Sequence, residues 1–193
     1  MKMTLNQSKP HYTTRQATLA DVEPVRRMQA DSWRATYANE AAGVSQAWVD
    51  DRTAGWLMPE ALKTSREVIG KVLADDSQFY RVAERDGEIV GFAHASHQDG
   101  GTIELNAIYT APNTFGTGLG QQLINQAITY ANGAQMELKV ASYNTRAIRF
   151  YEKNDFKIVP DSEAMFADKI PIVKMLKEGG GDRKSTRLNS SHP

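Results

Sequence analysis

Ile103-Glu-Leu-Asn-Ala-Ile-Tyr-Thr-Ala-Pro-Asn-Thr-Phe-Gly-Thr-Gly-Leu-Gly-Gln-Gln-Leu123 is the stretch on which the reading of this chain turns. A strand-like run enters a turn holding Gly116, Gly118 and Gly120, and the turn opens onto an amphipathic helical pattern. Such a turn aims several backbone N–H groups at one point, where a helix N-terminus adds partial positive charge. A phosphate or pyrophosphate fits there, and glycine permits both the close approach and positive φ. Two nucleotide motifs are absent. No Gly-Lys-Ser/Thr follows, as a P-loop requires. A dinucleotide fingerprint needs glycine three residues after Gly118, where Gln121 stands, and belongs in an early βαβ unit. Taken alone, the three glycines describe a surface loop equally well.

Upstream, residues 12–16 alternate as a short strand, and Thr18-Leu-Ala-Asp21 resembles a capping box. Val22, Val25, Met28 and Trp33 then share one helical face, which fades near Tyr37. Gly43 breaks the chain. Ser45 caps a second helix with Trp48, Val49, Trp56 and Leu57 on its apolar side; Pro59 interrupts it, and Ser65 opens another short helix. Residues 79–84, 88–96 and 102–110 read as three antiparallel strands, with Asp86-Gly87 as a two-residue hairpin turn and Asp99-Gly100-Gly101 as the next turn. After the glycine loop, Leu119, Leu123, Ile124, Ala127, Ile128 and Ala131 form one stripe that Asn132-Gly133 ends. A strand over 136–140, a helix over 145–154 and strands over 156–159 and 170–176 complete an α/β layer fold.

The 193 residues fit one domain, and 40% hydrophobic and 24% charged residues are ordinary for a globular protein. Cysteine is absent, which excludes disulfides, thiolate zinc sites and cysteine nucleophiles and suits a reducing cytoplasm. No metal site is read from the sequence. The formal charge is zero, so there is no strong electrostatic case for nucleic acid or an anionic membrane. No apolar run approaches the roughly 20 residues of a membrane span. Residues 1–9 are polar and lack the apolar stretch of a signal peptide. The expectation is a cytoplasmic chain with neither nucleic acid nor membrane as partner.

The glycine stretch resembles the phosphate-binding motif of the GNAT acetyltransferase superfamily, Leu-x-x-Ile-Tyr-Val-x-Pro-x-Tyr-Arg/Gln-Gly-x-Gly-Ile-Gly-x-x-Leu. Leu105, Ile108, Tyr109, Pro112, Gly116, Gly118, Gly120 and Leu123 match it. A second match, at the family's usual distance, runs through Asn144, Ala147, Phe150, Tyr151, Lys153 and Phe156, against Asn-x-x-Ala-x-x-Phe-Tyr-x-Lys-x-Gly-Phe. Two linked motifs in order make chance matching a poor explanation. The resemblance covers residues 12–177 and is nearest to small bacterial members that acetylate polyamines or protein N-termini. It implies a GNAT-type mixed sheet, mostly antiparallel in its N-terminal strands, with helices on both faces. Phe115 departs from the pattern, which carries Arg or Gln there, so cofactor affinity is expected to be lower and a non-catalytic acyl-CoA-binding or regulatory domain is the alternative. Its backbone N–H is expected to serve the loop even so. Asn154 is read as a mild replacement of the family's glycine after Lys153.

What the resemblance implies is an acetyl-CoA-dependent N-acetyltransferase acting on a primary amine by direct attack. Ile108, Tyr109 and Thr110 would pair with the pantetheine arm as a strand does. Phe115, Gly116, Thr117, Gly118, Leu119, Gly120 and Gln121 would cradle the pyrophosphate. Asn144 would bond the pantetheine or orient the motif, and Lys153 would approach the phosphates. Tyr151 is the expected acid, since a phenol stays protonated at neutral pH and donates to sulfur. Glu104, on the strand entering the loop, is the expected base, acting directly or through water; Tyr109 and His94 are weaker candidates. The acceptor would be a small amine or a protein N-terminus, and a homodimer is left open.

The resemblance places the acceptor beside the first helices, among Trp33, Tyr37, Glu40, Trp48, Asp50 and Asp51. Acids with aromatics suit a cationic amine, although core tryptophans and a solvated acidic face explain the same residues better. Beyond residue 177 the chain runs through Gly179-Gly180-Gly181 into Asp-Arg-Lys-Ser-Thr-Arg-Leu-Asn-Ser-Ser-His192, without periodicity. That run reads as the in-frame translation of a common sequencing-adapter oligonucleotide. Residues 178–193 are therefore expected to be a disordered tail and are set aside from the fold.

Overall fold

The computed structural model describes residues 10–180, so the N-terminal nine residues and the adapter-like run lie outside the described residues. Chain order begins with β1 (Thr13–Gln16), α1 (Val22–Thr36), α2 (Gln46–Gly55) and α3 (Pro59–Leu73). The strands β2 (Gln78–Arg85), β3 (Glu88–His97) and β4 (Ile103–Thr110) follow. After them come α4 (Leu119–Ala131), β5 (Met136–Ala141) and α5 (Thr145–Glu152), then β6 (Lys157–Ile158), β7 (Ala164–Phe166) and β8 (Ile170–Lys177). All strands join one sheet in the order β1-β2-β3-β4-β5-β8-β6, with β7 also paired to β8.

Most expected elements are present, for the local reasons given. Asp86 and Gly87 both adopt positive φ (54° and 82°), the requirement of a two-residue hairpin turn. Ser45 Oγ accepts the Trp48 N–H and caps α2. Two readings need correction. Pro59 does not interrupt a helix; it is the first residue of α3, where its missing N–H costs nothing, and α3 therefore starts six residues before Ser65. The three-residue β7 was not foreseen: its residues are exposed, and only pairing with β8 defines it.

Alternation along the strands sends side chains to two cores. Ala83, Val90, Ala93 and Leu105 pack with Leu119, Leu123, Ile124 and Ala127 of α4 and with Tyr151 of α5. Val82 and Phe92 face the other way, against Val25 and Met28 of α1, and farther along this face Val49 of α2 packs with Trp33, Ala141 and Ile170. Helices thus cover both faces, as expected. Each fully buried Leu or Ile on α4 contributes about 1.5–3 kcal/mol.

One irregularity positions the site. β4 and β5 are parallel neighbours but pair only at Ile103–Met136 and Glu104–Glu137. Immediately beyond, Asn106 is an extra residue in β4, because His94 pairs with Ala107 and Ala95 with Leu105. Such a bulge bends its strand. From Leu105 to Thr110 the edge of β4 facing β5 has no strand partner.

Candidate active site

A cleft of about 500 Å³ opens where β4 and β5 part. Residues 105–110 form one wall, Lys139 and Val140 of β5 another, and the glycine loop with Asn144, Arg146, Phe150, Tyr151 and Lys153 the third. Tyr37 and Tyr109 also line it. Both sequence motifs therefore meet in one cavity.

The loop has the hydrogen-bonding pattern that an anion cradle requires. Gly116 and Gly118 hold φ of 77° and 95°, which a side chain would strain. Thr117 Oγ1 donates to the Thr114 carbonyl at 2.6 Å and accepts from the Tyr12 hydroxyl at 2.8 Å, fastening the loop to the start of the chain. The first helical hydrogen bond of α4 is from Gln122 N–H to the Gly118 carbonyl, so the N–H groups of Leu119, Gly120 and Gln121 have no helical acceptor. The Leu119 side chain is wholly buried in the core, leaving only its backbone for a ligand.

Phe115 behaves differently from expectation. Its N–H donates to the Pro112 carbonyl at 3.3 Å and is not free for the cradle. Its ring instead carries the Arg146 guanidinium, whose carbon lies 3.7 Å from the ring centroid, and both residues line the cleft. A cation therefore stands beside the loop's first position, supplied from α5. Sequence reading overlooked Arg146, because a contact between residues 115 and 146 has no local signature.

Asn144 Oδ1 accepts the Ala147 N–H at 3.1 Å and so caps α5, orienting the helix that carries Arg146 and Tyr151 and ends just before Lys153. The position after Lys153 also needs correction. The left-handed residue is Asp155 (φ 67°), whereas Asn154 is buried and bonded to Gln121 and to the Phe150 carbonyl. Asn154 ties α5 to α4; Asp155 occupies the glycine position of the pattern.

Tyr151 is 9% exposed, and burial pushes its phenol well above the ordinary tyrosine range, with Tyr109 reinforcing the shift. Its phenol therefore stays protonated at neutral pH. Tyr109 is also held protonated by burial, and its hydroxyl lies 3.1 Å from that of Tyr37. Glu104 sits where the strands part, 3.0 Å from Lys139 Nζ, and is not itself in the cleft wall. His94 bonds Gln78 at 2.9 Å and lies against the Tyr80 ring in a tilted pair, away from the cleft; burial lowers its pKa. On the acceptor side Trp33 is buried, while Glu40, Asp50 and Asp51 are exposed, as a core tryptophan and a solvated acidic face require.

A family model for the Acetyltransferase (GNAT) family matches residues 22–156. An uncharacterized N-acetyltransferase of Mycobacterium bovis is 35% identical over 89 residues, which are 45% of this chain and 57% of that protein. A peptidyl-lysine N-acetyltransferase of Salmonella typhimurium is 30% identical over 97 residues, 50% of this chain and 61% of that protein. The matches thus span a little over half of these relatives. Among solved structures, the PaiA N-acetyltransferase of Thermoplasma acidophilum in complex with coenzyme A superposes with a TM-score of 0.69 at 20% identity, over 87% of this chain and 99% of that one. A GNAT acetyltransferase of Streptococcus pneumoniae gives 0.66 at 21%, over 88% and 100%. At these identities the likeness is one of fold. No helix among the described residues is long and apolar enough to cross a membrane.

Proposed function

The chain belongs to the GNAT acetyltransferase family, and from that premise we propose that residues 12–177 transfer the acetyl group of acetyl-CoA to a primary amine, carried by a small molecule or a protein, by direct attack. The observation that carries this reading is the parting of β4 and β5, which leaves a strand edge unpaired beside an anion cradle and a buried tyrosine. The free edge from Leu105 to Thr110, including Ile108 and Tyr109, pairs with the amide-bearing pantetheine arm. Gly116, Gly118, Leu119, Gly120 and Gln121 direct backbone N–H groups at the pyrophosphate, and Arg146 and Lys153 add cations beside it. The compensation by Arg146 removes the motive for a binding-only domain, which was Phe115.

In the reaction the amine nitrogen forms the new bond to the thioester carbonyl carbon and the carbon–sulfur bond breaks. Tyr151 gives its phenolic proton to the leaving thiolate. The proton lost by the amine passes to Glu104 through water, because Glu104 stands outside the cleft wall. General acid or base catalysis of this kind contributes about 10²–10⁴-fold.

The test is calorimetry with acetyl-CoA, then release of free CoA across an amine panel. Tyr151→Phe is expected to lower kcat by about a hundredfold or more while CoA affinity holds. No binding at millimolar acetyl-CoA would defeat the whole reading, and a wild-type rate in Tyr151→Phe would defeat the acid assignment.

A further inference from the structure

Tyr12 stands just before β1, and its ring is buried in the core that α4 covers. A buried phenol calls for a hydrogen-bond partner, and this one finds it 105 residues away: the Tyr12 hydroxyl donates to Thr117 Oγ1 at 2.8 Å. Thr117 lies between Gly116 and Gly118, the two left-handed residues of the loop. Both of its donors turn inward onto one atom. Thr117 Oγ1 donates to the Thr114 carbonyl at 2.6 Å, and the Thr117 N–H reaches the same carbonyl at 3.2 Å. Thr114 is itself buried and bonds back to the Ala111 carbonyl, through its hydroxyl at 2.7 Å and its N–H at 2.9 Å. A continuous line of hydrogen bonds therefore runs from Tyr12 through the loop to the end of β4.

Thr117 does not line the cleft, whereas Gly116 and Gly118 on either side of it do. The N–H groups of those two glycines have no backbone acceptor among the described residues. The threonine therefore serves the shape of the loop, and its neighbours face the cleft. The mount behind it is firm. Residues Thr13–Gln16 of β1 pair with β2, and Arg15 reaches both Glu84 and Asp21. The same segment holds the first two turns of α4: Gln122 Nε2 donates to the Tyr12 carbonyl at 3.4 Å and Gln126 Nε2 to Thr14 Oγ1 at 2.8 Å. A loop fixed in shape before its ligand arrives binds with a smaller ordering cost.

We propose that Tyr12 is a positioning residue for the cofactor: through Thr117, its hydroxyl holds Gly116 and Gly118 in the shape that presents their N–H groups to the pyrophosphate. Thr117 acts on the ligand only through that shape. The inference rests on the acetyltransferase reading and adds to its cofactor site a residue that stands outside the cleft wall. The experiment measures steady-state rates with two donors, acetyl-CoA and S-acetyl-pantetheine, which has the thioester but no pyrophosphate. Tyr12→Phe removes one oxygen and leaves the ring in the core. It is expected to raise KM for acetyl-CoA about three- to tenfold, the worth of one neutral hydrogen bond, at little cost in kcat, and to leave kcat/KM for S-acetyl-pantetheine at the wild-type value. Inhibition by inorganic pyrophosphate gives the same readout where the short donor reacts too slowly: its inhibition constant is expected to rise by the same factor. Thr117→Val should weaken acetyl-CoA at least as much, Thr117→Ser should restore most of that loss, and Tyr12→Phe should add little in the Thr117→Val background. A wild-type KM for acetyl-CoA in Tyr12→Phe overturns the proposal. So does an equal loss with both donors, the mark of a general disturbance of the fold, or a pyrophosphate inhibition constant that does not move. Any of these outcomes beside efficient amine acetylation by the wild type defeats this inference alone, whereas no binding of acetyl-CoA and no CoA release with any amine defeats the acetyltransferase reading.

Discussion

Phe115 and Arg146 show how one side chain can change what its position means. A phenylalanine at the mouth of a phosphate loop offers no hydrogen bond, but its ring gives a guanidinium a flat seat 3.7 Å away. Stacking restrains Arg146 before any ligand arrives, which reduces the ordering cost of binding an anion. Arg146→Ala is therefore expected to weaken CoA binding about tenfold, the loss of one charged hydrogen bond. Phe115→Ala should weaken it less, and should add little in the Arg146→Ala background, because the ring acts through the arginine. Calorimetry on the two single variants and the double variant decides this: affinities that multiply independently would show that Phe115 touches the ligand on its own account. The sequence motif marked position 115 as a defect, because a pattern scored position by position cannot register a partner at 146.

Among the elements, the start of α1 joins the first strand to the rest of the sheet through Asp21. Its carboxylate accepts the Thr18 N–H at 2.8 Å and the Thr18 hydroxyl at 3.0 Å, and also both terminal nitrogens of Arg15, at 2.7 and 2.8 Å. Arg15 in turn reaches Glu84 of β2. Asp21 is buried, and the Arg15 guanidinium holds its carboxyl below the usual carboxylate range. A lowered folded pKa means stability that is complete above the unfolded value of about 3.9 and is lost as pH falls through the folded value. Asp21→Ala is expected to cost about 2 kcal/mol at pH 7, with Arg15 discounted for its 38% side-chain exposure. In urea unfolding, the gap between wild type and Asp21→Ala should narrow at pH 3; an equal gap at both pH values would show that the charge contributes nothing. This cap was legible because its residues lie three apart. The hairpin at Asp86-Gly87 was legible for the same reason, each being a local solution to a local backbone demand. Pro59 was misread because a proline that ends one helix and a proline that begins the next look alike without the flanking register. Residues 164–166 gave no signal at all, being too short for a period and strand-like only beside β8.

For the molecule as a whole, the cleft is a consequence of sheet topology more than of any residue in it. β4 pairs fully with β3 and hardly with β5, so the side chains beneath must hold α4 against β3 while its N-terminus reaches the opening. Gly91 on β3 makes this possible. A Cβ there would lie 3.1 Å from Leu123 Cδ1 and 3.2 Å from both Leu119 Cδ2 and the Tyr109 carbonyl oxygen. The two leucines belong to α4, are wholly buried, and sit directly behind the anion cradle. The sequence placed both motifs of the cofactor cleft, since their spacing is written along the chain. It was silent on the aromatic cluster where Arg52, Trp33 and Phe166 meet from three separate segments, and on Gly91, whose role depends on a helix packed across it. Overpacking here should therefore act twice. Gly91→Ala is expected to destabilise by about 1–3 kcal/mol, and also to weaken CoA binding, because relief shifts the Leu119 and Leu123 side chains or the Tyr109 carbonyl of the cleft wall. Gly87→Ala provides the contrast: its φ of 82° makes any side chain strained, yet nothing lies within 4 Å of the new Cβ and the turn is remote from α4. It should lower stability and leave CoA affinity alone. Thermal melts and calorimetry on both variants separate the effects. If Gly91→Ala binds CoA as tightly as Gly87→Ala does, the seat of α4 and the shape of the cradle are independent, and the cleft owes its geometry to the loop alone.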